Sequence, residues 1–372
     1  MMKGIGCVLL LALGILSACK ENKIAAKGED FILVKGLWVT EQDGQTMRDP
    51  QTSGLLNWRG HLLTLSDRSA HSSQRLRIRK IELNTGRLQS GDLLMGLSER
   101  VAASCFAAYL GDNPDLEALA VDPLDDKVIY VATEDASYAR LSEDCQKKFA
   151  NSGSTLYPSL LVRLELQADN SLLMTHVRPI QFAPHMEIGD APNDGLEGLT
   201  FGPDRTLYLG LEKDSHGEAR IFTLKIDEEF WLSSDFIQIR DIDLKLPKFE
   251  SGRHPINGMT YYQHKGMAFL IAAARNDESI WIIDLTARKN TRIVPLKFDA
   301  PIIPGDTKCG EWERMNNVSI EGVTVNGTTL WMINDPWKLV YPKNIMCELN
   351  RSKFENMAPL IFGLPLKDEW FE

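Results

Sequence analysis

Apolar and polar positions alternate in short runs along most of the chain, with turn residues between them. The stretch from Gly195 to Ile226 shows the pattern most clearly. Leu196 to Phe201 reads as a strand, and Gly202-Pro203-Asp204-Arg205 as a turn in which proline presets φ. Thr206 to Leu211 is the next strand, Lys213 to Glu218 a polar loop, and Ala219 to Ile226 alternates as a third strand. The same order recurs around Asp122-Pro123-Leu124-Asp125, while Leu76 to Leu83 and Ser279 to Leu285 end two further units. The alanine-rich run Leu270 to Ala274 falls where other units are strand-like, so it is read as strand. No convincing amphipathic helix interrupts the series.

The units share an opening. Leu116-Glu117-Ala118-Leu119-Ala120, Leu196-Glu197-Gly198-Leu199-Thr200 and Ile320-Glu321-Gly322-Val323-Thr324 are three copies of it. Ile256-Asn257-Gly258-Met259-Thr260 is a degenerate copy, and Ser53-Gly54-Leu55 opens the series. Each is followed by a turn and an apolar run that ends at Asp67, Glu134, Glu212, Arg275 or Asp335. Unit starts lie roughly sixty to eighty residues apart, longer than solenoid periods and suited to propeller blades with variable loops. Up-and-down sheets expose their edges in isolation, and radial packing protects them. The expected fold is all-β: a single β-propeller domain over residues 31–372, with six blades or, alternatively, five. A sixth blade would draw on Phe31 to Thr40, Thr175 to Phe182 or Arg292 to Phe298. Ring closure would use Phe31 to Val34 or Leu360 to Phe362.

Ahead of this domain, Lys3 precedes an apolar stretch from Ile5 to Leu16, too short to span a bilayer. It ends in Leu16-Ser17-Ala18-Cys19, which resembles a bacterial lipobox. Residues 1–18 are thus expected to be a lipoprotein signal peptide, Cys19 the lipidated residue and 19–30 a polar tether. Lys20 in place of aspartate directs the expectation to the outer membrane, with the protein periplasmic or surface-facing. Cys105, Cys145, Cys309 and Cys347 remain, an even number that suits an oxidising compartment. Of the three possible pairings, Cys105–Cys145 and Cys309–Cys347 each bracket one unit and are favoured. The net charge of −10 argues against nucleic acid as a partner, and against holding a polyanion without a cation.

In a propeller, the first strand of each blade lines the central channel, so matching positions converge on the axis. Glu117, Glu197 and Glu321 are expected in one ring with Ser53 and Asn257. Asp67, Glu134, Glu212 and Asp335 form another, with Arg275. Such carboxylates cannot all stay ionised without compensation. Oxygen donors with no grouped His or Cys suit a hard cation, and Ca²⁺ is expected because it tolerates irregular ligand sets. A serine nucleophile is excluded, since no Gly-x-Ser-x-Gly elbow occurs.

Ser53-Gly54-Leu55 with Leu65-Ser66-Asp67-Arg68, Asn193-Asp194-Gly195-Leu196-Glu197-Gly198-Leu199 with Leu211-Glu212, and Ile320-Glu321-Gly322-Val323 with Asn334-Asp335 carry a resemblance. It is to the phytase-like family, the domain known for an esterase-like activity of phytase, and runs from about Thr52 to Asp335. Gluconolactonase-like hydrolases share the Glu-Gly-hydrophobic opening. Asn257 and Arg275 depart from the pattern, each standing where other units have a carboxylate. The resemblance implies a propeller and a calcium-dependent hydrolase of phosphate or carboxylic esters. Glu197, Glu321 and Arg275 would then act on the reacting group, while Arg68 and Lys213 hold a small anionic or ester substrate. Arg275 could equally serve as counter-ion to Glu212 or Glu321. The alternative function is a non-catalytic surface lipoprotein with structural calcium. It would bind a protein partner through the loops Ser98–Pro114, Ala136–Tyr157 and Pro301–Val318.

Overall fold

The computed structural model describes residues 31–134, 136, 138–191, 195–302 and 309–372. The expected signal peptide, the tether and Cys19 lie outside the described residues, as do Asn193 and Asp194. Strand β1 (Ile32–Trp38) comes first in the described chain and is used last in the architecture. The repeat units then fold as antiparallel meanders. The first contains β2 (Thr52–Trp58), β3 (His61–Ser66), β4 (Arg77–Ile81) and β5 (Leu93–Leu97). The second contains β6 (Leu116–Asp122), β7 (Asp125–Thr133), β8 (Leu160–Leu166) and β9 (Leu172–Gln181). In the third, β10 (Leu196–Phe201), β11 (Thr206–Leu211) and β12 (Arg220–Lys225) precede two short pieces, β13 (Ile237–Gln238) and β14 (Arg240–Asp241). β13 pairs back onto β9, and β14 completes the third sheet. The fourth contains β15 (Gly258–His264), β16 (Met267–Ala274), β17 (Ser279–Asp284) and β18 (Arg292–Pro301), with β19 (Trp312–Met315) beside β18. The fifth has β20 (Ile320–Asn326), β21 (Thr329–Asn334) and β22 (Leu360–Pro365), and β1 is its outer strand.

The first strands of the meanders touch in a closed cycle, β2 to β6 to β10 to β15 to β20 and back to β2. Five apolar cores fill the spaces between neighbouring meanders. Alternation explains how one strand serves two of them: Leu116 and Leu119 face the first meander, and Ala118 and Ala120 face the third. This radial stacking of sheets is a β-propeller-like, all-β fold. The segments set aside for a sixth blade are outer strands instead. Residues 32–38 complete the fifth sheet, 172–181 the second and 292–301 the fourth. Of the two proposed closing segments, Leu360 to Phe362 pairs antiparallel with β1, but through Gly36 to Trp38 rather than through Phe31 to Val34. β1 also runs parallel to β18 through Ile32 to Lys35.

The small residue after each glutamate follows from this crowding. A Cβ on Gly322 would lie 2.6 Å from the backbone carbon of Gly54, and one on Gly258 would strike the carbonyl oxygen of Glu321. At Gly258 and Gly322 neighbouring first strands approach backbone to backbone, and only glycine fits there. The recurrent threonine ties the ring together. Thr324 Oγ1 accepts from Asn57 N at 3.0 Å, and Thr200 Oγ1 from Tyr261 N at 2.9 Å, each across two meanders.

The long loops contain short helices that the alternating pattern does not announce: α1 (Glu99–Ala102), α2 (Ala107–Asp112), α3 (Glu143–Lys148) and α4 (Arg351–Glu355). Disulfides join Cys105 to Cys145 and Cys309 to Cys347, with Cα–Cα separations of 5.7 and 5.8 Å. The first ties the α1–α2 loop to α3. No helix among the described residues is long and apolar enough to cross a membrane.

Candidate functional site

Each glutamate owes its orientation to a local irregularity. Leu196 pairs with Leu211 and Gly198 with Gly210, which leaves Glu197 as the extra residue of a β-bulge. The same shift isolates Glu117 between Leu116 and Ala118, and Glu321 between Ile320 and Gly322. Bulges re-aim side chains, and here all three carboxylates line one cavity. In the first meander the shift falls one residue later, at Gly54. In the fourth the register is regular, and Asn257 N donates to Ala273 O at 3.0 Å. The second carboxylate of a unit is pinned at the same end. The N–H groups of Asp67, Glu134, Glu212 and Asp335 donate to the carbonyls of Gln51, Asp115, Gly195 and Ser319.

The cavity has a volume of about 410 Å³ and is lined by Asp67, Asp115, Glu117, Glu134, Glu197, Glu212, Glu321 and Asp335. Its lining cations are Arg68, Lys213, Arg253 and Arg275. Eight carboxylates against four cations leave a formal excess of four negative charges if every group is ionised. Carboxylate oxygens of Glu117, Glu197 and Glu321 lie within 4.8 Å of one another, as do those of Glu134, Glu197 and Glu212 and those of Asp115, Glu117 and Glu134. Ser53 and Asn257 are buried, but neither is among the lining residues. Ser53 Oγ and Asn257 Oδ1 have no hydrogen-bond partner among the described residues.

Compensation is uneven around this ring. Arg275 donates to Glu321 Oε1 and, at 3.0 Å, to Glu212 Oε1. Burial opposes its charge, but Glu321, Glu197, Glu212 and Asp335 more than reverse this and hold it protonated beyond the usual arginine range. The carboxyls of Glu321 and Asp335 are still pushed well up, first by burial and then by neighbouring acids, with Arg275 opposing both. Glu197 is raised by burial, then Glu321 and Glu212, and Arg275 again opposes. Across the ring, burial followed by Glu197, Asp115 and Glu134 raises Glu117. Burial followed by Glu197, Asp115 and Glu212 raises Glu134, against one N–H from Gly195. Asp67 is pushed up to about 6 by burial and Asp115, although its bonds from Ser69 and Ala70 pull the other way.

The two cations expected to hold substrate are both engaged. Arg68 Nε is 2.7 Å from Asp115 Oδ2 and its guanidinium sits over Tyr138, while Lys213 Nζ is 3.1 Å from Glu212 Oε2. Of the two roles open to Arg275, the ion pairs with Glu212 and Glu321 place it as counter-ion. Asp115 and Arg253 are site residues that the repeat did not indicate. Asp115 lies one position before the shared opening, where other units have Gln51, Gly195, Pro255 and Ser319, so the comparison of units passed over it. Trp337, half exposed, also lines the cavity.

A hard cation fits this donor set. The lining contains no His or Cys, oxygen donors predominate, and Asp335 Oδ1 is buried with no hydrogen-bond partner among the described residues.

No protein-family model matches the chain, and no curated protein matches it. Among solved structures, a luciferin-regenerating enzyme is similar at 12% identity and TM-score 0.37, covering 85% of this chain and 78% of its own. The Malassezia sympodialis allergen Mala s 1 is similar at 9% identity and TM-score 0.42, over 88% of this chain and 96% of that one. A hypothetical protein from Leishmania major is similar at 8% identity and TM-score 0.42, over 89% of each chain. Likenesses this distant leave the chemistry of the site to its own residues.

Proposed function

We propose that this chain is a five-bladed propeller of the phytase-like kind that binds Ca²⁺ on its axis and hydrolyses a phosphate or carboxylic ester. The observation that carries the reading is the convergence of eight carboxylates on one cavity holding four cations. Three of the carboxylates lie within 4.8 Å of one another. The five meanders, five inter-sheet cores and closed cycle of first strands support the blade number. Asp115, Glu117, Glu134 and Glu197 would hold the ion, since none of them accepts a hydrogen bond from Arg275. A bound Ca²⁺ there supplies a Lewis acid for a phosphoryl or acyl oxygen. The remaining work falls to the chain. Arg275 holds the carboxylates of Glu212 and Glu321 in place. Asp67, with its pKa pushed up to about 6, is poised to accept and release a proton near neutral pH. The lipobox-like segment places the protein in this reading at the outer membrane, anchored through Cys19.

The test is calcium titration by calorimetry on the chain beginning after Cys19, with parallel melting curves. Stoichiometric binding that raises the melting temperature supports the reading, and a screen of phosphate and carboxylic esters then separates a hydrolase from a binding platform. Absence of binding overturns it and makes the carboxylates structural.

A further inference from the structure

Four cations line the central cavity, and three of them are engaged: Arg68 by Asp115, Lys213 by Glu212, and Arg275 by Glu212 and Glu321. Arg253 differs. Among the described residues its guanidinium has neither a carboxylate partner nor a hydrogen-bond acceptor, although the cavity it borders has carboxylates in excess. Yet its main chain is held firmly. Asn276 Nδ2 donates to the Arg253 carbonyl at 2.9 Å. The next residue, His254, bonds through its ring to Asp277 Oδ1 at 2.7 Å and to Ser251 O at 2.9 Å. That ring also stacks on Phe249 with centroids 3.5 Å apart. Pro255, itself in the cavity wall, fixes φ and confines His254 to extended backbone. Gly252, at φ +104°, makes the turn that leads in.

A residue serving only to neutralise the cavity would be drawn onto a carboxylate, as Arg275 is. Arg253 instead keeps its planar fork of donors unspent at the rim, over a floor that would hold a cation. The geometry points to Arg253 as the residue that grips the anionic group of a ligand, a phosphate monoester, by bidentate hydrogen bonds. The inference rests on the calcium reading above, because a bare carboxylate floor repels a phosphate dianion.

Calcium alone is titrated into the full chain first, and methyl phosphate is then titrated with and without saturating calcium. The expected result is calcium-dependent binding of methyl phosphate that weakens about tenfold in Arg253→Gln, the value of one charged hydrogen-bonding pair. Arg253→Lys should restore part of it. Calcium affinity in Arg253→Gln should stay equal or tighten, since a positive charge has left the cavity mouth. Equal methyl phosphate affinity in wild type and Arg253→Gln overturns the assignment. A wild type that binds calcium but no methyl phosphate overturns it too, and leaves the metal reading standing. If calcium does not bind, the metal reading falls. This inference then falls with it, because the floor beneath Arg253 would repel the phosphate.

Discussion

The two sides of the axial ring are built from the same repeat and solve the same electrostatic problem differently. On the side of the fourth and fifth meanders, Arg275 replaces a carboxylate and Asn257 replaces a glutamate, and the guanidinium bonds both Glu212 and Glu321. On the side of the second and third meanders every position keeps its acid. Asp115, Glu117 and Glu134 bring oxygens within 4.8 Å of one another with no arginine from the fourth meander among them. The first side contains its own counter-charge. The second has only Arg68, held on Asp115, so its remaining carboxylates depend on protons or on a cation from solution, since several buried carboxylates cannot remain ionised together. Two substitutions within a repeat thus separate a region bridged by its own guanidinium from one whose acids keep no such bridge.

The strongest way to break the contrast is to remove the internal cation. Arg275→Met should destabilise the calcium-free protein by about 3 kcal/mol, because it leaves buried Glu321 without its partner and Glu212 with Lys213 alone. Calcium should recover more stability in this variant than in wild type, as the first side comes to resemble the second. Urea unfolding in chelator and in calcium measures both. A loss below about 0.5 kcal/mol in chelator would mean that Arg275 acts as a solvated surface charge.

Acidity tests the other side. A carboxyl whose folded pKa lies above its unfolded value binds its proton more tightly when folded, so stability falls as pH rises from the unfolded pKa through the folded one. Unfolded Asp and Glu titrate near pH 4. Asp67, at about 6, sets the lower part of the window, and burial of Glu117 and Glu134 extends it upward. In chelator the melting temperature should therefore drop by about 4 °C or more between pH 5 and pH 7.5, more than 1 kcal/mol for a domain this large. Saturating calcium should flatten the curve. Stability that rises with pH in chelator contradicts the assignment.

Much of this contrast is legible in the sequence, because the repeat reports position. Strand boundaries in 196–211 follow from alternation, while the strand at Leu270 to Ala274 and the axial places of Glu197 and Glu321 follow from analogy between units. The blade number is harder to read. Outer strands such as Leu172–Gln181 carry no shared opening and look like candidates for a separate unit. Asp115 escapes because its chemistry lies just outside the repeated motif, and Arg253 because its loop belongs to no unit. Gly322, after Glu321, reads as a turn signal in isolation. Its actual reason, backbone contact between neighbouring first strands, is a fact of closure that no local window contains.

The finest test exchanges one glutamate from each side. Glu117→Gln removes a repelled charge that makes no pair with Arg275, so the calcium-free protein should be stabilised slightly, by about 0.5–1 kcal/mol. Its calcium affinity should fall about tenfold with the loss of one charged ligand. Glu321→Gln removes a carboxylate that Arg275 holds, so the calcium-free protein should lose about 1 kcal/mol. Calcium affinity should change little in that variant, because the freed guanidinium turns to Glu212 rather than to the ion. Melting curves in chelator read the first pair of effects, and calorimetry reads the second. Opposite signs in chelator are the signature of two sides with different counter-charges. If both variants stabilise, or both lose calcium equally, the ring is uniform and Arg275 does not divide it.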